Sequence, residues 1–353
     1  MTSVKINAKI KSSINQKIMS HQSVTQQITP KYIDSLQEKI SDIKEQHDGK
    51  ILILTHANPD GDAIGSAYGL YLGFKSLGLT PTVSCIDEVP TAFKFVDTKD
   101  TFTQTPNFND FKNIVFVDCG DKKLTRFDKN HPEILSDQKF KINIDHHPSN
   151  DNFGDLNLVI TNASSAAEIV YYLWKKMGVE MNSALATSLL LGIYTDTGGF
   201  VHQNTTPDSY TAAAELVELG GSVSKISQNV FRSNDLKQLK LWGKVLEELH
   251  VTDEGAAIVG VHKDDYLSLG ATRQDLGGVI DLINSMPEVQ YSVMLSEDEK
   301  GNVKASLRTR KDDVNVKAIA EKFGGGGHVK AAGFTVPQGH LKKEVKWKIV
   351  TDA

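Results

Sequence analysis

The sequence predicts an α/β fold: a mainly parallel-sheet N-terminal domain, joined by a helical linker to a smaller mixed-sheet α/β C-terminal domain. Three observations carry this. Short apolar runs alternate with helix-length stretches through the first two thirds of the chain, the pattern of strands buried on both faces and linked by crossover helices. From Ala256 onward the pattern changes to strand-like runs with two helical patches between them. The length, 353 residues, is enough for two ordinary domains.

Residues 1–30 carry Lys5, Lys9, Lys11 and Lys17, no acidic residue, and much Ser, Thr, Gln and Asn. They contain no Arg, no continuous apolar segment and no small-residue cleavage site, so they do not read as a targeting peptide. The expectation is a flexible N-terminal extension. Ile33, Leu36, Ile40 and Ile43 recur at helical spacing and predict an amphipathic helix over 31–46. Ile51-Leu52-Ile53-Leu54 predicts the first buried strand. Further strands are predicted at 82–86, 113–117, 141–144 and 156–160, and helices at 63–78 and 164–178. The apolar run at 189–193 fits helix or strand, and periodicity does not separate them. The expected divisions are an extension over 1–30, a first domain over 31–221, a helical linker over 222–249 and a second domain over 250–353.

The bulk numbers narrow the function classes. Charged residues are 24% and apolar residues 39%, a globular profile, and no apolar run approaches a membrane span. A net charge of -5 excludes a global polycation that grips long nucleic acid. Cys85 and Cys119 lie in apolar strand-like runs and read as buried, reduced thiols, consistent with a cytoplasmic setting.

Chemistry concentrates where strands end. After the first strand comes Thr55-His56-Ala57-Asn58-Pro59-Asp60-Gly61-Asp62, followed by a helical stretch. In open α/β sheets ligands bind at the carboxyl ends of strands. His56, Asp60 and Asp62 can converge there on a divalent cation, and oxygen ligands with one imidazole suit Mn, less exclusively Mg or Zn. The alternative is a Pro-Asp-Gly turn with a helix-capping Asp. Three more elements end alike: Val117-Asp118-Cys119-Gly120, then Ile144-Asp145-His146-His147-Pro148, then Tyr194-Thr195-Asp196-Thr197. Burying so many acidic groups together is costly unless cations neutralise them. A two-metal centre fits this count, since two ions about 3.5–4 Å apart can clamp a phosphate and activate water.

These four motifs, in this order, resemble the DHH phosphoesterase superfamily. Gly324-Gly325-Gly326-Gly327-His328 is similar to the signature of its associated C-terminal domain. The resemblance spans roughly residues 50–335 and implies specific roles. His56 and Asp60 hold one metal; Asp62, His146 and Asp196 hold the other; Asp118 bridges both. Asp145 orients His146 or the backbone, and His147 faces the substrate phosphate or assists the leaving group. The implied cofactors are two divalent ions, Mn²⁺ first and Mg²⁺ as the alternative.

In the second domain, strands are predicted at 256–261, 290–295 and 303–308 and helices at 273–285 and 314–323. Arg308 and Arg310 alternate out from one strand face, and arginine suits bidentate phosphate contact. The alternative is a solvated strand face. Gly324–Gly327 precede a predicted helix, where backbone amides can approach an anion. With Arg308, the residues Gly325, Gly326, Gly327 and His328 are the expected substrate contacts.

No Ser-Arg-Lys-Lys-Gln-like run of the family II pyrophosphatases is present. There is little room for an added nucleic-acid domain of the exonuclease branch. The chain therefore resembles the nanoRNase/pAp-phosphatase branch. That implies metal-dependent hydrolysis of short oligonucleotides to mononucleotides, and of pAp to AMP. A cyclic-di-AMP or pApA phosphodiesterase is the near alternative, and a non-catalytic nucleotide sensor is the alternative of another class. Expected partners are short oligonucleotides or nucleotides, without long nucleic acid or membrane. Oligomeric state is not legible, with a homodimer left open.

Overall fold

The computed structural model describes residues 22–97, 101–230 and 236–342. The chain divides into two compact units between residues 233 and 234.

The first unit runs α1 (Val24–Gln27), α2 (Pro30–Gln46), β1 (Lys50–Leu54), α3 (Gly61–Ser76), β2 (Thr80–Ser84), β3 (Phe102–Thr103), β4 (Asn113–Val117), β5 (Phe140–Asp145), β6 (Leu156–Val159), α4 (Ala166–Met177), α5 (Ser183–Asp196), α6 (Pro207–Glu218) and α7 (Val223–Val230). Its six strands are all parallel, in the order β3-β2-β1-β4-β5-β6. The connections run outward in both directions from the β1–β4 pair. The crevice beyond their carboxyl ends is therefore the topological switch point, where open α/β sheets bind ligands.

Strand alternation sorts the core into two layers. Ile51, Ile53, Val115, Val117, Ile142 and Ile144 face a helical layer built on α2, α3, α4 and α5. Leu52, Leu54, Ile114 and Phe116 face the opposite side. There the expected helical cover is replaced by 3-10 turns at 108–110, 127–129 and 132–135, which bring Phe108, Phe127 and Ile134 onto the sheet.

Helices α3 and α5 approach closely through glycines. A Cβ at Gly65 would lie 2.5 Å from the Ser188 carbonyl, and one at Gly192 would lie 2.5 Å from both Ala167 Cβ and Asp62 Oδ1. Any side chain at these positions would hold the two helices apart. Asp62 on α3 and Asp196 at the end of α5 depend on that approach.

The second unit runs α8 (Leu236–Glu247), β7 (His250–Val251), β8 (Ala256–Val261), α9 (Lys263–Leu267), α10 (Val279–Ile283), β9 (Tyr291–Glu297), β10 (Val303–Arg308), α11 (Val316–Glu321), β11 (Gly326–Gly327) and β12 (Ala331–Val336). The mixed sheet has the order β11-β12-β10-β9-β8-β7, with β8 and β9 parallel and the other pairs antiparallel. Helices α8 and α10 pack on Ala257, Val259, Val261 and Met294. Helix α11 packs on Ala305, Leu307 and Ala332 from β10 and β12.

Two expectations are corrected. Residues 22–30 are no loose appendage, because Val24 and Ile28 are fully buried and the Lys176 ammonium donates to the Ile28 carbonyl at 2.6 Å. The rest of the expected extension, residues 1–21, lies outside the described residues. The stretch 222–249 forms two helices, Ile226 of α7 packing in the first core and Leu241 and Val245 of α8 in the second. No helix follows the four glycines; they lead into the β11–β12 hairpin. The reason is close crossing: a Cβ at Gly325 would lie 2.2 Å from the Gly333 carbonyl. Gly327, at φ 137°, would bring one within 2.6 Å of the Ala331 carbonyl. Among the described residues no helix is long and apolar enough to cross a membrane.

Candidate metal centre

His56 leaves β1, Asp118 leaves β4, and His146 and His147 follow β5, so the three central strands deliver their polar ends to the switch point. Asp60 caps α3, its Oδ1 accepting from the amides of Asp62 and Ala63 at 3.0 Å each. Asp62, 2% exposed, sits in the first turn of that helix. Its carboxylate accepts from the amides of Ala166 (2.7 Å) and Ala167 (2.9 Å) at the start of α4. The open question of the 189–193 run resolves as helix, and Asp196 is the last residue of α5.

These residues form groups of donors. His56, Asp60 and Asp118 make one and Asp62, His146 and Asp196 the other, while Asp118, His146 and His147 form a third that overlaps both, with one donor atom per residue of each group within 4.8 Å of the others. Asp118 touches the first two: its Oδ2 is 3.5 Å from His56 Nε2 and its Oδ1 is 3.6 Å from His146 Nε2. His146 Nε2 is also 3.7 Å from Asp196 Oδ2 and 3.9 Å from Asp62 Oδ2. Asp118 adopts the left-handed φ of 55°. His56 donates from Nδ1 to the Ala57 carbonyl at 2.9 Å, which turns Nε2 toward the carboxylates.

Electrostatics shows a site that demands positive charge. Burial, then Asp118 and Asp196, push Asp62 well above the usual carboxylate range. Burial raises Asp196 to about 6. Burial opposes protonation of His56, yet the adjacent Asp118 carries it up to about 9. His146 moves up likewise, against its burial, under Asp118, Asp62 and Asp196. Asp118, which burial alone would raise, is held low by His146 and His56. One atom is left over. Asp118 Oδ1 is buried and accepts no hydrogen bond among the described residues, the condition of a carboxylate oxygen that binds a cation. Carboxylates and imidazoles around that orphan are the donor set of a hard or borderline divalent ion, so the residues fit a metal.

Asp145 is fully buried and stands back from the cavity. It orients His147 and not the expected His146, whose Nδ1 faces the Ala163 carbonyl: Asp145 Oδ1 accepts from His147 Nδ1 at 2.8 Å and its Oδ2 from Asn150 Nδ2 at 2.7 Å. Asn150 also bonds Asn143 and the Cys119 carbonyl. His147 is half exposed at the cavity edge. The cavity, about 280 Å³, is lined by His56, Asp60, Asp118, His146, His147 and Asp196, and also by Leu124 and Arg126. Sequence reasoning missed those last two and Asn150. A lone Arg on a 3-10 turn carries no periodic signal.

The expected substrate contacts lie in the second unit. Arg308 ends β10, and its guanidinium donates to the Leu307 carbonyl and lies 3.6 Å from Asp281. Arg310 lies past the strand and is exposed. Gly325, Gly326 and Gly327 enter the β11–β12 hairpin, and His328 at its turn is exposed.

Fold and site together define a phosphoesterase of the metal-binding α/β kind. The chain belongs to the DHH family: residues 50–193 match the DHH family N-terminal domain and residues 257–350 match the DHHA1 domain. The bifunctional oligoribonuclease and PAP phosphatase NrnA of Thermus thermophilus is 32% identical, over 87% of this chain and 90% of that protein. Its namesake from Bacillus subtilis is 26% identical over 81% of this chain and 89% of that one. Among solved structures, an exopolyphosphatase-related protein from Bacteroides fragilis shares the fold with a TM-score of 0.78 at 26% identity. It covers 90% of this chain and 93% of its own.

Proposed function

We propose that this chain hydrolyses short oligoribonucleotides to mononucleotides, and pAp to AMP, in the cytoplasm with two divalent ions, Mn²⁺ first. The observation that carries the reading is the orphaned Asp118 Oδ1, buried between two groups of donors. The names of the Thermus and Bacillus relatives supply the substrate class. His56 and Asp60 hold one ion, Asp62, His146 and Asp196 hold the other, and Asp118 bridges. Held there, the ions supply Lewis acidity toward a phosphoryl oxygen and make water a nucleophile at neutral pH.

The chain's own residues do the rest. Asp60 and Asp62 are fixed by backbone amides, so the donors need no reorganisation during reaction. Asp145 accepts the hydrogen bond from His147 Nδ1 and so sets the tautomer. The same hydrogen bond to Asp145 favours the charged imidazolium form of His147, which carries a second proton on Nε2; that atom makes no hydrogen bond among the described residues and can give its proton to the departing oxygen. In the second unit, Arg308, Gly325, Gly326, Gly327 and His328 are the substrate-binding residues.

The test is product release over time from a 5′-labelled dinucleotide, a longer oligonucleotide, pAp and cyclic-di-AMP, each with Mn²⁺ and with chelator. Mn²⁺-dependent loss of the dinucleotide and pAp, with slow attack on the longer strand, is expected. Turnover of the cyclic dinucleotide alone would move the substrate to that class, and no turnover of any probe would leave a binding protein.

A further inference from the structure

The metal cavity contains one cation that no step of the proposed hydrolysis uses. Arg126 lines it together with His56, Asp60, Asp118, His146, His147 and Asp196. Three carboxylates share that cavity, yet Arg126 makes no ion pair with any carboxylate among the described residues. It is exposed, at the end of the 3-10 turn Lys122–Thr125, which also carries Lys122 and Lys123.

Its backbone is held in an unfavourable place. Arg126 has φ 58°, in the left-handed region that glycine adopts freely and a long side chain resists. The residues on either side enforce it: Thr125 is fully buried, and Phe127 is 3% exposed in the core beside Phe108. Of the seven non-glycine residues with positive φ among the described residues, two line this cavity: Asp118 and Arg126. Strained backbone of this kind gathers where a particular side chain is needed.

The turn is also tied to the metal centre. The Ala57 amide, next to His56, donates to the Leu124 carbonyl at 2.9 Å. Asp121 caps the turn, its Oδ1 accepting from Lys123 N at 2.7 Å. Leu124 itself is 48% exposed, an apolar side chain left open on the cavity wall. A guanidinium free of carboxylates and an open apolar surface, fixed one hydrogen bond from His56, suit a ligand that carries both phosphate and nucleoside.

We propose that Arg126 binds a substrate phosphate and that the turn 121–126 is a nucleotide subsite with Leu124 as its apolar platform. The inference rests on the nucleotide phosphoesterase reading above. It deepens that reading by placing a substrate-binding cation in the first unit.

The test compares wild type with Arg126→Ala, Arg126→Gly and Arg126→Lys in the full chain. The readouts are steady-state hydrolysis of pAp with Mn²⁺, and calorimetric binding of Mn²⁺ and of pAp. Glycine takes the φ of this position without strain, so its variant separates lost charge from lost folding. The expected result is a KM for pAp raised about tenfold or more in Ala and Gly, as befits a lost charge-assisted pair, with a smaller change in kcat. Lys should restore part of it and Mn²⁺ affinity should stay put. Unchanged KM and pAp affinity in both Ala and Gly would overturn the proposal, as would an equal loss of Mn²⁺ binding, which would make the turn a mere prop. If wild type binds pAp but does not hydrolyse it, the phosphoesterase reading fails and the binding comparison still decides Arg126. If wild type does not bind pAp, both fall.

Discussion

Adding one methyl group at Gly192 should damage the metal centre from a distance. Gly192 lies one helical turn before Asp196 on α5 and faces α3 and α4. A Cβ there would stand 2.5 Å from Ala167 Cβ, 2.5 Å from Asp62 Oδ1 and 3.2 Å from Asp62 Cα, where ordinary contact begins near 3.4 Å. The helices must therefore separate by about 1 Å, and overpacking of this kind costs about 1–3 kcal/mol. Asp62 cannot simply turn aside, because the Ala166 and Ala167 amides hold it. A misplacement of about 1 Å at reacting groups can cost roughly a hundredfold in rate. Gly192→Ala should thus lose about 1–3 kcal/mol in urea unfolding and about a hundredfold in Mn²⁺-dependent kcat/KM for pAp. Gly243→Ala is the control. It adds a methyl group to a helical glycine where the new Cβ would meet no atom within 4 Å, so propensity alone should stabilise α8 by about 0.5–1 kcal/mol. A Gly192→Ala protein as stable as wild type, with unchanged kcat/KM, would refute the packing argument.

Asp118→Ala should abolish turnover and weaken Mn²⁺ binding, measured by calorimetry; near-normal activity would remove Asp118 from between the two groups. Mn²⁺ at about a hundred times its dissociation constant should stabilise the first unit by about 2.7 kcal/mol per site, or roughly 5–10 °C in Tm. Calorimetric melting with Mn²⁺ and with chelator checks this, and superimposed melts would sink the metal reading. Ile28→Ala should cost about 2–5 kcal/mol of unfolding free energy, since the side chain is fully buried. An unaltered urea midpoint would return residues 22–30 to the status of an appendage.

Much of the site was legible because the sheet itself writes it. Ile114–Val117 and Ile142–Ile144 are buried without interruption, so the first polar residues after them, Asp118 and Asp145 to His147, mark strand ends facing the switch point. Helix α5 was ambiguous for the same reason in reverse: Leu189, Leu190, Leu191 and Ile193 are all buried, and a helix wrapped on every side loses its periodic signature. The N-terminal docking rests on two apolar residues four apart, Val24 and Ile28, too short a signal to stand out from polar neighbours. At Gly324–His328 composition misled. Glycines followed by Ala331 and Ala332 suggest a helix start, but the spacing is set by β12 crossing close behind Gly325 and Gly327. Arg126 was invisible because its importance lies in a backbone angle and a missing partner, neither of which sequence patterns express.

The helix caps at Asp60 and Asp62 have a further meaning for how the protein lives with its ions. Both carboxylates are held by amides of α3 and α4, so their placement is a by-product of ordinary helix ends. These two donors are set in place by the backbone itself, whichever divalent ion they go on to hold.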